Sequence, residues 1–136
     1  HSTGISFTEW QKKRNINFLE KDNCKIFLFL PSREKIYEKV NLRFDNMIKS
    51  GAINEVKKLL SLNFNKSLPI MRAHGVPEIS NYLDKKANLD ECIKAGQKVT
   101  RNYVKRQLTW WRGSTLPIHQ LFDQFPDQID VNLIKI

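Results

Sequence analysis

Apolar positions recur at helical spacing along most of this chain, and one stretch breaks the pattern. Lys25-Ile26-Phe27-Leu28-Phe29-Leu30 is a continuous apolar run closed by Pro31. Its length and lack of alternation predict a strand buried on both faces, as in a parallel sheet. One strand makes no sheet, so its neighbours are expected elsewhere in a longer parent protein. Ahead of it, Ser6-Phe7-Thr8-Glu9 has the form of a capping box. A short helix to about Lys13 follows, with Phe7 and Trp10 on one face and Lys12-Lys13-Arg14 at its basic end.

Three helices are predicted after the strand and before the longest one. Ser32 is placed to cap a helix that runs to Ser50 and stops at Gly51. Ile36, Tyr37, Val40, Phe44, Met47 and Ile48 form its buried face, and Arg43 falls between Ile36 and Met47 on the edge of that face. On the pattern alone, an Arg43 paired with a core carboxylate and an Arg43 turned to a ligand are both open. A shorter helix from about Ala52 to Leu62 turns Ile53, Val56, Leu59 and Leu60 inward. Leu68 to Pro77 is a loop or broken helix, in which Gly75 permits unusual backbone angles and Pro77 suits a first helical turn. Ile79, Tyr82 and Leu83 pack the helix that follows.

The longest helix is predicted over Leu89 to Arg112, with Asn88 as its cap and Glu91 in the box position. At about 100° per residue, Cys92, Gly96, Val99, Tyr103 and Trp110 share a narrow arc that faces a core. Lys94, Lys98, Arg101, Lys105 and Arg112 gather opposite, in a cationic stripe about five turns long. Arg106 and Gln107 flank the apolar arc. A half-buried guanidinium keeps its proton, so an inward Arg106 calls for an anionic partner or a set of acceptors. Past Gly113, Pro117 to Phe122 is a candidate short strand, and Gln128 to Ile136 a last strand or helix.

Composition narrows the class. A chain of 136 residues with 40% hydrophobic and 10% aromatic residues can fold as one domain with a real core. A formal charge of +9 favours an anionic partner: nucleic acid, a phosphorylated ligand or a membrane surface. A solvated surface that serves only solubility is the bland alternative. Cys24 and Cys92 stand alone, which suggests a reducing compartment and argues against structural zinc. No apolar run approaches the roughly 20 residues that a membrane helix needs. The chain opens at His1, not at a methionine, and is expected to be part of a longer protein.

Catalytic motifs are missing. The glycines at 4, 51, 75, 96 and 113 give neither a phosphate loop nor a dinucleotide fingerprint. His1, His74 and His119 lie far apart, and Asp45 is a lone helical carboxylate of the usual solvated or salt-bridged kind. The stripe offers phosphate contacts without sequence choice. Trp110 on the apolar arc reads as core, whereas Trp111, about a quarter turn away, is the better candidate for stacking on an unpaired base.

Several segments, in order, resemble those of the bacterial tRNA dimethylallyltransferase family. They are Thr3-Gly4-Ile5-Ser6-Phe7-Thr8-Glu9-Trp10-Gln11, Arg33 to Tyr37 with Arg43-Phe44-Asp45-Asn46-Met47, and Gly51 to Val56. Leu68-Pro69 and Arg72-Ala73-His74-Gly75 follow, and Thr100 to Trp110 is the most specific. From about Ser114 no motif is recognised. Where the family commonly has Gly-Tyr and then a cation, this chain has Gly75-Val76-Pro77, losing an aromatic and a charge.

The resemblance implies an enzyme that moves a dimethylallyl group from dimethylallyl diphosphate to N6 of the adenosine next to the anticodon. Its fold would be mainly α in this chain with one or two strands, as part of an α/β P-loop NTPase-like fold. Residues 1–20 would end an inserted helical tRNA-binding domain, and residues 21–136 would belong to the core. The family's phosphate loop and catalytic aspartate, and with them the Mg2+ ligands, have no counterpart here, so the chain alone is expected to be inactive. Cations and Mg2+ would neutralise the leaving diphosphate, a carboxylate elsewhere would take the N6 proton, and the base would flip into a channel.

Residue by residue, Arg43 matches an arginine near the diphosphate and the reacting adenosine. Arg106 and Gln107 would line the channel. Arg72, Ala73, His74, Gly75, Val76 and Pro77 match one tRNA-contacting loop, and Arg101, Lys105, Thr109, Trp110, Trp111 and Arg112 belong to a second tRNA-contacting segment. The anticodon stem-loop would be the partner of a cytoplasmic monomer with no membrane association. A stand-alone basic module that binds nucleic acid without chemistry is the alternative reading.

Overall fold

A computed structural model describes residues 4–12 and 24–130. Lys13 and Arg14 of the basic knot, the boundary at residues 20 and 21, and the last stretch from 131 lie outside the described residues. Helix α1 (Phe7–Lys12) is capped as predicted. The Ser6 amide and hydroxyl both donate to Glu9, and these bonds hold the Glu9 carboxyl below its ordinary range.

Strand β1 (Ile26–Phe29) forms where the apolar run predicts it, but its partner corrects the expectation. It pairs in parallel with β2 (Ile118–Phe122) of the same chain, so one neighbour is local. Four helices separate the two strands, and a crossover of that length leaves no pairing signal in the sequence. Phe29 and Phe122 stack with ring centroids 5.0 Å apart, and the Leu30 amide donates to the Phe122 carbonyl at 2.7 Å. Only Leu28 of β1 is buried, because a two-stranded sheet covers its strands incompletely.

Helix α2 (Arg33–Lys49) begins at Ser32, whose hydroxyl accepts from the Lys35 amide. Gly51, at φ +106°, turns the chain into α3 (Ala52–Ser61). A short 3-10 turn (Pro69–Arg72) leads to α4 (Val76–Leu83) and then to α5 (Leu89–Arg112). Asn88 and Glu91 close the predicted box on α5, with bonds of 2.9 and 2.8 Å. The 3-10 turn Pro126–Gln128 laps back over α2, where Lys39 sits over the Phe125 ring and reaches Asp127.

The main core joins α3, α4 and the start of α5 through Ala52, Val56, Val76, Ile79 and Cys92. Burial, and secondarily the charge of Glu78, push the Cys92 thiol above its ordinary range. A second contact fixes α2 against α5. The Phe44 ring, only 4% exposed, lies on the backbone of Gly96. A Cβ at Gly96 would fall 2.0 Å from Phe44 Cζ and 2.4 Å from Cε2. Beside it, Gln97 donates to Asp45 at 2.8 Å and Arg101 to Asn41 at 2.7 Å. Those pairs run in opposite sequence directions, so the two helices are antiparallel.

Two outcomes follow from this packing. Gly96→Ala drives a methyl into a buried ring and should lower stability by about 3 kcal/mol, at the upper end of overpacking costs. Adding Phe44→Leu should recover part of that loss in urea denaturation, so the two changes are not additive. Cys92 should resist alkylation at neutral pH in the folded chain, while half-exposed Cys24 reacts. Because the folded thiol titrates above the unfolded one, its contribution is present at neutral pH and is lost as pH rises through the thiol range.

Candidate nucleic-acid interface

Phe44 under Gly96 sets the rotation of α2, and the residue before it turns outward. Arg43 is exposed, which corrects its expected place on the edge of a buried face. The buried strip of α2 is narrower than the apolar pattern suggests, with Phe44 alone fully covered. Arg43 makes no ion pair or hydrogen bond with any described residue. It lines a pocket of about 230 Å³ together with Phe44 and Met47 of α2, His74 of the loop, and Thr100 and Tyr103 of α5.

The loop is held against that same ring. Gly75 stands at φ +95°, and a Cβ there would lie 3.3 Å from Met47 Cε and 3.5 Å from Phe44 Cε2. Its amide donates to the Glu78 carboxylate at 3.1 Å, and Val76 is buried behind it. Arg72 folds back to donate to the Ser67 carbonyl. Ala73, His74 and Pro77 remain exposed. The His74 ring then meets Tyr103 edge-on, with centroids 5.3 Å apart and planes at 64°.

On α5 the predicted apolar arc holds only in its first half. Cys92 and Gly96 are buried, but Tyr103 is 45% and Trp110 59% exposed, while Val104 and Leu108 are buried instead. Helix lengths explain the change. Eight residues of α4 extend about 12 Å against about 36 Å for the 24 of α5, so α4 cannot cover the second half. Arg106 and Gln107, expected to face inward, are exposed for the same reason. Trp111 is half-buried and meets Trp110 edge-on at 4.7 Å, which reverses the expected order of core and rim.

The cationic stripe survives in a narrower form. Lys94, Lys98, Lys105 and Arg112 are exposed, whereas Arg101 is half-buried and tied to Asn41. Thr109 is exposed and spends its hydroxyl on the Lys105 carbonyl. Asn102, Lys105, Arg106, Thr109 and Trp110 edge an open groove of about 560 Å³. Asp45, expected to be solvated or salt-bridged, accepts instead from Gln97 in the helix seam. Among the described residues the ion pairs are Lys86 with Asp84 and Lys39 with Asp127, and Lys39 shares a second pocket with Arg43 on α2. Lys86 also holds the Asp84 carboxyl below its ordinary range.

The described residues bring together no group of three or more His, Cys, Asp or Glu side chains. No helix among them is long and apolar enough to cross a membrane. Of the predicted residues, Arg43 and His74 meet at one pocket, which Arg72, Ala73, Val76 and Pro77 do not line, while Lys105, Arg106, Thr109 and Trp110 meet at a groove beside it. Gln107 lines neither, but borders a further open groove with Arg106, Trp110 and Trp111. Tyr103 was hidden from sequence reasoning because it shares the phase of the core; the mismatch in length between α4 and α5 was the available signal.

Comparison with known proteins agrees with the resemblance. Residues 1–114 match the model of a family described as IPP transferase. A tRNA dimethylallyltransferase of Wolbachia sp. subsp. Brugia malayi (strain TRS) is 51% identical over 111 residues, covering 82% of this chain and 37% of the relative. One from Anaplasma phagocytophilum (strain HZ) is 44% identical over 128 residues, or 93% of this chain and 40% of the relative. The chain thus spans well under half the length of such relatives. The full-length tRNA isopentenylpyrophosphate transferase of Bacillus halodurans superposes with a TM-score of 0.64 at 31% identity, over 76% of this chain and 34% of that one. A tRNA delta(2)-isopentenylpyrophosphate transferase of Staphylococcus epidermidis gives 0.68 at 24% identity, over 92% and 37%, a likeness of fold alone. With most of its length matched by the family model, the chain belongs to the IPP transferase family.

Proposed function

We propose that this chain works as part of a tRNA dimethylallyltransferase, where it supplies substrate-channel contacts and a rail for the anticodon stem-loop. The observation that carries this reading is Arg43, a guanidinium without a described partner on the wall of a partly apolar pocket. A permanently charged donor left unpaired beside apolar surface suits an anionic or electron-rich ligand. Dimethylallyl diphosphate offers such an anion, and charge leaving with its diphosphate is what a fixed cation stabilises. At about 230 Å³ the pocket is below the ~300–1,000 Å³ of complete small-molecule sites, which suits one wall of a shared site.

The remaining groups divide by what they present. Lys94, Lys98, Lys105 and Arg112 offer charge to a phosphate backbone, and the loop from Arg72 to Pro77 reaches the pocket through His74. The exposed Trp110 offers a face on which an unpaired base can stack. Residues 1–20 would close a tRNA-gripping helical domain and residues 21–136 would join the core sheet through β1, whose parallel pairing supports that placement. The enzyme would act as a monomer in the cytoplasm, where its tRNA substrate is. The bare Arg43 pocket favours this reading over a basic module that only binds.

In a transferase that contains this chain, Arg43→Ala should lower kcat/KM for prenyl transfer by about 10²- to 10³-fold, as loss of one charge-stabilising donor does. The melting temperature should hardly move, since Arg43 packs no core. A variant that melts early yet turns over normally when cold would refute the role. For this chain, tRNA binding should weaken with salt. Lys98→Ala with Lys105→Ala should reduce the log–log salt slope by about 1.5, near the value for two lost phosphate contacts. An unchanged slope would remove the rail.

A further inference from the structure

We infer that Tyr103 and Arg106 form a clamp for one unpaired nucleobase at the mouth of the Arg43 pocket, a deeper reading that rests on the nucleic-acid role above. Tyr103 carries none of the roles assigned so far. Its ring is 45% exposed, and its hydroxyl bonds to no described residue, so neither burial nor hydrogen bonding accounts for an aromatic here. It lines the pocket that holds Arg43, while Arg106, one turn on, edges the adjoining groove with Trp110. The pair therefore stands where pocket and groove meet.

The two groups already meet in a cation–π contact. Arg106 Cζ lies over the Tyr103 ring at 5.7 Å from its centroid. A flat base between two flat groups needs two stacking gaps of about 3.5 Å each, or about 7 Å in all. Arg106 is exposed and has no ion pair or hydrogen bond with a described residue, so moving outward by about 1 Å gives up one exposed cation–π contact. Tyr103 is the fixed jaw. His74 meets it edge-on at 5.3 Å, and the backbone beneath His74 is pinned by Gly75 on Phe44 and Met47. A base that enters replaces the cation–π contact with an aromatic stack on one side and a guanidinium stack on the other. A purine, with two fused rings, gains more from this than a pyrimidine.

The test uses this chain and an RNA stem-loop carrying 2-aminopurine at one unpaired loop position, read by fluorescence quenching and by affinity at several salt concentrations. Tyr103→Phe should bind within about twofold of the unaltered chain. Tyr103→Leu should bind about tenfold more weakly, within the range for one lost base stack, and should lose the quenching at an unchanged salt slope. Arg106→Lys keeps the charge and removes the plane, so affinity should drop while the slope stays. Full binding and quenching by Tyr103→Leu would overturn the clamp alone. An Arg106→Lys variant that binds as the unaltered chain does would reduce Arg106 to a phosphate contact and also overturn it. No salt-dependent binding by the unaltered chain would bring down the nucleic-acid reading and the clamp with it.

Discussion

The contact of Phe44 with Gly96 is the constraint on which the candidate site depends. One ring, pressed against helix backbone with no room for a methyl, fixes both the distance and the rotation of α2 on α5. The same ring and Met47 lie beneath Gly75, so the loop that carries His74 takes its height from them. Arg43 precedes Phe44 and therefore emerges at a set angle beside Tyr103 and Thr100. Three segments far apart in sequence meet at one pocket because each touches one side chain. Polar pairs beside it, Gln97 with Asp45 and Arg101 with Asn41, hold the register along the seam.

What makes a site of this arrangement is the end of cover over α5. The first half of that helix is enclosed by α2 and α4, with Ala52 and Val56 of α3 in the same core, and its apolar arc behaves as a core face. Once α4 stops, the arc continues into open space, carrying Tyr103 and Trp110 with it. An aromatic on a core phase without a core partner costs apolar exposure, since each such ring leaves much of its surface in water. That cost is tolerable where a ligand covers the ring part of the time. The exposed rings share their half of the helix with the exposed cations Lys105, Arg106 and Arg112.

Much of the local structure was legible in the residues. Capping by Ser6 and Glu9, Ser32, and Asn88 and Glu91 marks helix starts through bonds made within four residues, and these signals need no tertiary knowledge. The apolar run at Ile26 marks its strand for the same reason. Relations between elements were not legible. The partner of β1 lies four helices away, the outward turn of Arg43 depends on how Phe44 seats on Gly96, and that of Arg106 and Trp110 on how far a neighbouring helix reaches. Periodicity reports which residues share a face, and it is silent on whether that face is covered. The segment motifs matched the family correctly because they preserve residue identities that packing alone does not demand.

Charge adds a last step. With 23 Lys and Arg against 14 Asp and Glu, the chain carries +9, and the described ion pairs take up only two of the cations. The net surplus of positive charge repels itself through solvent, a term that weakens the isolated fold and is screened beyond about 10 Å at 0.1 M salt. A polyanion lying along α5 would relieve it. Binding and folding are then linked, because a ligand that favours the folded chain stabilises it in proportion to occupancy. Arg101 shows the limit of this reasoning: its charge belongs to the stripe by sequence, but its guanidinium is committed to Asn41 inside the seam. Arg43 and Arg106 carry no such commitment to a described residue, and both neighbour Tyr103, one across a shared pocket and the other over its ring.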